Sequence, residues 1–525
     1  MSTQQQDENG HIIMFPFMAQ GHFTRFLALA KFISQRKPNT KITIVNTPLN
    51  VKRLQSTLLN SQASNNICLA ELPFSSSDHG LPPNSESIDS LPPHLIPKLF
   101  FASETLQPSF ENLINEIIRT ENRVPDCIIS DFFFGWVHDT AKRIGTFSFC
   151  FVSGAYGAAM YFSLWLHFPH RNDSGDLIEQ FHVPEFPDTC RLHCSQLTPN
   201  LRAETNKQES TYAKFSRRQI SLSLKSDGML CNSVEEIEVV GLKVLRNLME
   251  NSKPVWTIGP LLPSYLLQGN KNDDSGPVVV SHFRKEKEFG IAPEICIEWL
   301  NQQEPCSVLY VSFGSQFTIS APKMMELALG LEKSGKFFIW VLRPPSGFDS
   351  KSEFKSEWLP EGFVERMNET KKGLLIKKWA PQLEILCHRS TGAFLSHSGW
   401  NSVLESLSQG VPMIAWPLFA EQNYNSKMIQ EEMGVSVELT RGNEGELSSE
   451  DVKKVIQPVM DGTKGEEMRK KAMAIAEKIR AAMREDTDEA GSHQKGSSIK
   501  SVDDFLAMVT SKRVAADADE HAMPI

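Results

Sequence analysis

Short apolar runs alternate along the chain with stretches that have the periodicity of amphipathic helices, and few folds accommodate such an alternation. The runs HIIMFPF (11–17) and KITIVNT (41–47) flank the helix-like FTRFLALAKFISQR (23–36). Apolar strands separated by helices predict βαβ units and a parallel sheet. The alternation restarts at SVLYVSFGS (307–315), after a Gly-, Asp- and Lys-rich stretch (266–292) typical of a linker. We therefore predict an α/β protein with two doubly wound, Rossmann-like domains.

Charge and cysteine content narrow the possible functions. The 525 residues carry a formal net charge of -9, so the chain has no basic field that would hold a nucleic-acid backbone. Nine scattered cysteines lack the spacing of a zinc site and predict a reducing, cytoplasmic location. The polar N-terminus MSTQQQDENG does not have the pattern of a secretory signal.

One stretch, residues 144–167, is long enough to span a bilayer and contains no Asp, Glu, Lys or Arg. It does contain Ser, Thr and Gly, and the basic residues Lys142, Arg143 and Arg171 flank both ends without asymmetry. We therefore predict a buried strand that leads into a helix, with a membrane span as the alternative.

Polar side chains are concentrated between apolar runs in residues 394–426. The strand-like GAFLSH ends at His397, and the helix that follows begins close to Asn401 and Ser402. Backbone N–H groups at a helix start, together with these side chains, make an anion site suited to a diphosphate. Glu405 lies on the same helix face, where its carboxylate can accept hydrogen bonds from a ribose diol.

Two further groups of polar and aromatic residues follow predicted strands. Glu421 and Gln422, after PMIAWP, offer the acceptors and donors needed to hold a polyol. In KKWAPQ, Trp379 can stack on a base, while the Ala380 backbone and Gln382 can pair with a base edge. Together these residues predict a site for a nucleotide attached to a sugar.

Residues 379–422, with WAPQLEIL, SHSGWNSVLES and GVPMIAWPLFAEQ, resemble the plant secondary-product glycosyltransferase box of family 1 UDP-sugar glycosyltransferases. DGMLCNSVEEIE (227–238) and VWTIGPLLP (255–263) extend the resemblance toward the N-terminus. It implies a GT-B fold, in which two Rossmann-like domains have parallel sheets facing a central cleft. The implied parts are an acceptor-binding domain at 1–262, a linker at 263–292, a UDP-sugar-binding domain at 293–495, a helix at 496–512 that packs back on the N-terminal domain, and a tail at 513–525.

The resemblance also implies which residues bind the donor. A terminal Gln in the box goes with glucose in this family, so UDP-glucose is the predicted donor, and no metal ion or other cofactor is predicted. For Trp400, packing in the core is the alternative role. The predicted donor-binding residues are Trp379, Ala380 and Gln382 for the uridine, Glu405 for the ribose, His397, Asn401, Ser402 and Ser315 for the phosphates, and Trp400, Glu421 and Gln422 for the sugar.

The catalytic base is predicted in the N-terminal domain. His22 follows the first strand in a Gly-His loop, where an imidazole can take the proton of an acceptor hydroxyl. Asp131 ends the strand-like DCIISD, so two parallel strands can bring it beside His22, as in the dyad of the family. Helix N-capping is the alternative role of Asp131. Together with this pair, the resemblance implies an inverting O-glycosyltransferase that forms a β-glucoside.

Two positions depart from the family pattern. Ser398 stands where many members have Cys, and its intact neighbours predict unchanged chemistry. Arg25 stands three residues after His22, where the family often has Pro, and predicts a different loop shape and acceptor access.

Two other functions stay open. One is a nucleotide-sugar-binding protein without activity, against which the retained His22 and Asp131 argue. The other is an NAD(P)-dependent oxidoreductase, whose GxGxxG motif follows none of the predicted strands. The predicted partners are a UDP-sugar and an apolar acceptor of flavonoid, other phenolic or terpenoid type, and the chain is predicted to be a monomer.

Overall fold

The computed structural model of the chain contains two compact units. Unit 1 comprises Met1–Phe168, Glu204–Leu261 and Ala482–Ile525, and unit 2 comprises Pro169–Ala203 and Leu262–Ala481. The predicted domain boundaries stay a prediction, and residues 268–288 of the predicted linker lie outside the described residues. The structure describes residues 10–59, 65–168, 171–204, 209–250, 252–267, 289–348, 352–442, 446–487 and 493–521.

Strands and helices are numbered in chain order. The strands are β1 His11–Phe15, β2 Lys41–Asn46, β3 Ile67–Glu71, β4 Cys127–Asp131, β5 Phe147–Val152, β6 Gln180–His182, β7 Arg191–His193, β8 Gly228–Cys231, β9 Val255–Thr257, β10 Val308–Ser312, β11 Phe337–Leu342, β12 Gly373–Lys377, β13 Thr391–Ser396, β14 Met413–Ala415, β15 Ser436–Glu438, β16 Glu485–Thr487 and β17 His493–Lys495. The helices are α1 Gln20–Arg36, α2 Pro48–Leu59, α3 Ile96–Glu104, α4 Gln107–Glu121, α5 Val137–Ile144, α6 Ala155–His167, α7 Pro199–Ala203, α8 Thr211–Ser223, α9 Val239–Leu248, α10 Pro293–Asn301, α11 Ala321–Ser334, α12 Phe363–Thr370, α13 Gln382–Cys387, α14 Trp400–Ser408, α15 Gln422–Lys427, α16 Ser449–Asp461, α17 Thr463–Ala482 and α18 Ser497–His521.

Unit 1 is built on a parallel sheet. Within the described residues this sheet has seven strands in the order β3-β2-β1-β4-β5-β8-β9. β1 pairs in parallel with β2 on one side and with β4 on the other. The strands that follow β1, which are β2 and β3, are added on one side of it, whereas the strands that follow β4 are added on the other side. The strand order therefore reverses between β1 and β4. In open α/β sheets, ligands bind outside the carboxyl ends of the strands where the order reverses in this way.

Unit 2 repeats the same principle with its own sheet. In the part of the chain that is described, six parallel strands have the order β12-β11-β10-β13-β14-β15. The order reverses between β10 and β13, which pair in parallel. The predicted doubly wound α/β architecture is confirmed. It places the loops after β10, β12, β13 and β14 at one edge of the sheet.

The core of unit 1 includes residues from the C-terminal helix α18. Phe505 has its ring centroid 5.0 Å from that of Phe149 and 5.5 Å from that of Trp256. Val502, Leu506 and other apolar residues of α18 are buried in the same cluster. α18 continues to His521, into the stretch for which a tail was predicted.

Residues 144–167 include β5 and α6, so the predicted buried strand that leads into a helix is confirmed. Ten of the thirteen residues of α6 are buried, from Ala155 to Trp165, so this helix is apolar on nearly all sides. Burial within unit 1 explains its lack of charge. None of the helices in the described ranges is both long enough and apolar enough to cross a membrane.

Candidate active site

In unit 1 the predicted catalytic pair lies at the carboxyl ends of β1 and β4. Asp131 is the last residue of β4, and His22 lies in the first turn of α1. The helix begins at Gln20, earlier than the predicted start at residue 23, because the carboxylate of Asp89 caps it. Asp89 Oδ2 accepts a hydrogen bond from the Gln20 backbone N–H at 2.7 Å.

The His22 and Asp131 side chains are in direct contact. Asp131 Oδ2 lies 2.5 Å from His22 Nδ1, and the Asp131 side chain is completely buried. A buried carboxylate favours the tautomer in which Nδ1 carries the proton, which leaves the lone pair on Nε2. The His22 side chain is 21% exposed, so the imidazole is not closed off from solvent. Asp131 Oδ1 also accepts from the Phe133 N–H at 3.3 Å, so the N-capping role is present as well.

The ionisation of Asp131 reflects opposing effects. Burial raises its pKa, but the charges of His22 and Arg25 and the hydrogen bonds to this carboxyl outweigh burial, and the net shift is downward. The carboxyl is therefore ionised at neutral pH. Arg25 is itself buried and donates from Nη2 to Asp131 Oδ2. This contact was not predicted from the sequence.

In unit 2 the predicted donor-binding residues follow four strands of the same sheet. Ser315 follows β10, Trp379 follows β12, His397 follows β13 directly, and Glu421 follows β14. All four strands are parallel, so these residues lie beyond the same edge of the sheet.

The loops after β10 and β13 approach each other closely at His397. Gly314 has a φ of 73°, and a Cβ on it would lie 2.6 Å from the Cε1 atom of His397, so only glycine fits there. Burial, together with the charge of Arg343, lowers the pKa of His397 to about 4. The imidazole is therefore neutral at pH 7, and it would bind a phosphate oxygen as an N–H donor rather than as a cation.

The segment after His397 leads into α14. Gly399 is the N-cap, and the Val403 N–H makes the first helical bond to the Gly399 carbonyl at 3.1 Å. The N–H groups of Asn401 and Ser402 precede this first helical bond, and N–H groups in that position can bind an anion. Ser398 has a φ of 62°, and its buried Oγ has no hydrogen-bond partner within the described residues.

Polar side chains form a network where the nucleoside is predicted. Gln382 Nε2 donates to Glu405 Oε2 at 2.6 Å and to Ser402 Oγ at 3.3 Å. Tyr310 OH donates to Gln382 Oε1 at 3.1 Å. This network fixes the Gln382 amide and the Glu405 carboxylate in one arrangement. Tyr310 was missed because it lies inside the apolar strand β10, where nothing in the pattern distinguishes it from a core residue.

Gln422 holds the loop after β14 in place. Its Oε1 accepts hydrogen bonds from the backbone N–H groups of Leu418 and Phe419, both at 2.9 Å. This bonding fixes the amide orientation, so Nε2 remains as the donor toward a sugar hydroxyl. Trp400 is only 2% exposed, which leaves its indole little surface for a sugar. Its predicted contact with the sugar stays a prediction.

His388, in the same box, has a structural environment. Its Nε2 lies 3.0 Å from Asn301 Oδ1, and its Nδ1 accepts from the Ser390 N–H at 3.2 Å. Burial and the charge of Arg389 lower its pKa to about 4. The native state therefore holds a neutral imidazole in the pH range where an unfolded chain would bind a proton.

We expect His388→Gln to weaken the pH dependence of stability. Because the folded pKa of His388 is depressed, its contribution to stability is present above the unfolded pKa and is lost as pH falls toward about 4. Glutamine can make both hydrogen bonds without titrating. Between pH 7 and pH 5 the variant should lose about 2 kcal/mol less free energy of unfolding than the unaltered chain. Urea unfolding followed by tryptophan fluorescence measures this, with the exposed His94→Gln as control. Equal pH dependence in both variants would contradict it.

Comparison with known proteins gives consistent matches over nearly the whole chain. Residues 293–477 match the model of a family described as UDP-glucoronosyl and UDP-glucosyl transferase, and residues 8–263 match a glycosyltransferase N-terminal domain. UDP-glycosyltransferase 92A1 of Arabidopsis thaliana is 39% identical over 98% of this chain and 99% of its own length. Crocetin glucosyltransferase 3 of Crocus sativus is 43% identical over 87% and 91%.

A solved structure shows the same fold. UGT73P12 of Glycyrrhiza uralensis, complexed with glycyrrhetinic acid 3-O-monoglucuronide, aligns with a TM-score of 0.77 and 26% identity. The alignment covers 98% of each chain. The predicted GT-B fold and the resemblance to family 1 glycosyltransferases are confirmed.

Proposed function

The chain belongs to the family of UDP-glucuronosyl and UDP-glucosyl transferases, and from this membership we propose that it transfers glucose from UDP-glucose to a hydroxyl of an apolar small molecule, with inversion. Unit 1 would supply the acceptor site and unit 2 the donor site. The observation that carries the proposal is the contact between His22 Nδ1 and Asp131 Oδ2, because it leaves Nε2 of a partly exposed imidazole as a base.

The proposed reaction is a single displacement at the anomeric carbon. His22 Nε2 takes the proton from the acceptor hydroxyl as the oxygen attacks C1 of glucose. The bond between C1 and the diphosphate oxygen breaks, and an α-linked donor becomes a β-glucoside. Asp131 stabilises the imidazolium that forms. The charge that develops on UDP would be met by His397 and by the N–H groups that begin α14.

Aromatic rings pack beside His22, so the surroundings of the imidazole are apolar, which suits an apolar acceptor. The Phe17 ring lies 5.8 Å from the imidazole at an interplanar angle of 64°, and the Phe133 ring lies 6.1 Å away. Flavonoids, other phenolics and terpenoids remain the proposed classes. The Crocus relative is named for crocetin and the Glycyrrhiza protein was solved with a glycyrrhetinic acid glucuronide, so family members act on or bind different small molecules.

The proposal is tested by incubating the chain with UDP-glucose and a panel of such acceptors. We expect UDP release that depends on the acceptor, and a product whose anomeric proton coupling shows a β-glucoside. An α-glucoside would exclude the inverting mechanism. Binding of UDP-glucose without UDP release with any acceptor would instead identify a protein that binds the donor and has lost activity. The cytoplasmic location, the monomeric state and the independence from metal ions stay predictions.

We expect Gln422→Glu to separate sugar binding from nucleotide binding. Glutamate keeps the oxygen that accepts from the Leu418 and Phe419 N–H groups, but it has no donor for a sugar hydroxyl. The KM for UDP-glucose should rise about tenfold, the effect of losing one hydrogen bond to a buried polar group, with UDP affinity unchanged. Calorimetry with UDP and initial rates with UDP-glucose measure the two quantities. An equal loss of UDP affinity would contradict a role confined to the sugar.

A further inference from the structure

Arg25 is turned into unit 1 and contacts the catalytic pair. Its side chain is 3% exposed. Nη1 donates to Ser153 Oγ, and Nη2 donates to Asp131 Oδ2. The guanidinium also lies over the ring of Phe151, 5.4 Å from its centroid. Such a packed, paired arginine has one fixed position beside the carboxylate.

Arg25 and His22 use the same oxygen of Asp131. His22 Nδ1 and Arg25 Nη2 both reach Oδ2, and the two nitrogens are 3.0 Å apart. With the proton on Nδ1, both nitrogens are donors, so nothing attractive joins them directly. The single carboxylate charge is therefore divided between a permanent cation and the imidazole that becomes a cation during the reaction.

The other charged and titratable groups near His22 do not offset this arrangement. Asp89 bonds to the Gln20 N–H at the start of α1, so it is occupied by the helix end. Cys150, on the neighbouring β5, is buried, and burial raises its pKa well above the usual range, so it stays a neutral thiol. The charges closest to the imidazole are thus Asp131 and Arg25.

The geometry points to Arg25 as a positioning residue that weakens the base and restricts the enzyme to acceptors with an acidic, phenol-type hydroxyl. A guanidinium close to Nδ1 disfavours the imidazolium that must form when His22 takes a proton. A weaker base retains its rate with a phenol, which ionises readily, and loses more with an alkyl alcohol, which does not. This inference rests on the proposed function, because it assigns a role to Arg25 in that same proton transfer.

Two variants separate the charge of Arg25 from its hydrogen bond. Arg25→Gln removes the charge and keeps a donor for Asp131, whereas Arg25→Lys keeps the charge. For each variant, kcat/KM is measured against pH with a phenol and with a primary alcohol of similar size. UDP affinity and the temperature of unfolding are measured on the same preparations, so that a folding defect is recognised.

In Arg25→Gln the acidic limb of the kcat/KM profile should move to higher pH, because the imidazolium is no longer opposed by a cation. The ratio of phenol to alcohol turnover should fall about threefold or more. Arg25→Lys should keep both values of the unaltered chain. If Arg25→Gln binds UDP and unfolds as the unaltered chain does but shifts neither value, or if Arg25→Lys shifts both equally, the inference is overturned. Absence of any glucosyl transfer by the unaltered chain would instead overturn the proposed function.

Discussion

Replacing His22 with alanine is expected to reduce glucosyl transfer by about 10²- to 10⁴-fold while UDP binding stays unchanged. The imidazole is the base in the proposed reaction, and Asp131 cannot replace it because its carboxylate is completely buried. A neutral hydroxyl would then have to attack C1 without losing its proton. The predicted donor-binding residues belong to unit 2, so the affinity for UDP should not depend on the His22 side chain.

Initial rates with a saturating acceptor and calorimetry with UDP test this expectation. His138→Ala is the matched control, since His138 is also half-buried and hydrogen-bonded, to Ser148 Oγ at 2.8 Å. Ser148 is near the start of β5, whereas Asp131 is at the end of β4, so the control lies at the opposite edge of the same sheet. Turnover in His22→Ala within about threefold of the control would rule out His22 as the base.

The contact between His22 and Asp131 could be predicted from the sequence because it depends on strand order. Each residue follows an apolar run, and parallel strands bring their carboxyl ends to one edge. The same reasoning placed His397 and Glu421 beyond the carboxyl ends of two predicted strands in the second domain, where the structure has them. Only the type of sheet and the strand ends enter this argument, and both are visible as hydrophobic periodicity.

Side-chain contacts that depend on helix start and packing could not be predicted in this way. Arg25 shares a helix face with His22 because residues three apart are neighbours on a helix. That spacing was visible, but the predicted helix began after His22, and the Asp89 cap that extends it comes from a distant segment. Tyr310 gave no signal in the sequence, since an apolar strand accommodates tyrosine as a core residue.

The Asp131 carboxylate shows how one buried charge can serve fold and chemistry together. It caps the turn that begins at Phe132 through the Phe133 N–H, orients His22 and pairs with Arg25. A buried carboxylate without such partners would have a raised pKa, whereas here the pKa is lowered. Removing any one partner therefore changes how strongly the carboxylate interacts with the others. For this reason the Arg25→Gln variant removes the charge but keeps a hydrogen-bond donor for Asp131.

Replacing Glu405 with alanine is expected to weaken UDP binding about 100-fold, the effect of losing two hydrogen bonds to a charged acceptor. Glu405 is 3% exposed and accepts from Gln382 at 2.6 Å, so its carboxylate is held in one position. A carboxylate has about four acceptor positions, so it can accept from the ribose diol as well as from its partners in the protein. Its rigid placement should make the hydrogen bonds to the diol strong.

Nucleotides that lack the diol distinguish this role from a general loss of structure. The unaltered chain should bind 2′,3′-dideoxy-UDP much more weakly than UDP, whereas Glu405→Ala should bind both with similar affinity, because the partner of the hydroxyls is gone. Glu326→Ala is the matched control. Glu326 is also in unit 2 and also accepts a hydrogen bond at 2.6 Å, but its donor is the N–H of Ser449, the first residue of α16. If Glu405→Ala still discriminates between the two nucleotides as strongly as the control does, the diol is bound elsewhere, and the nucleoside site must be built from other residues of unit 2.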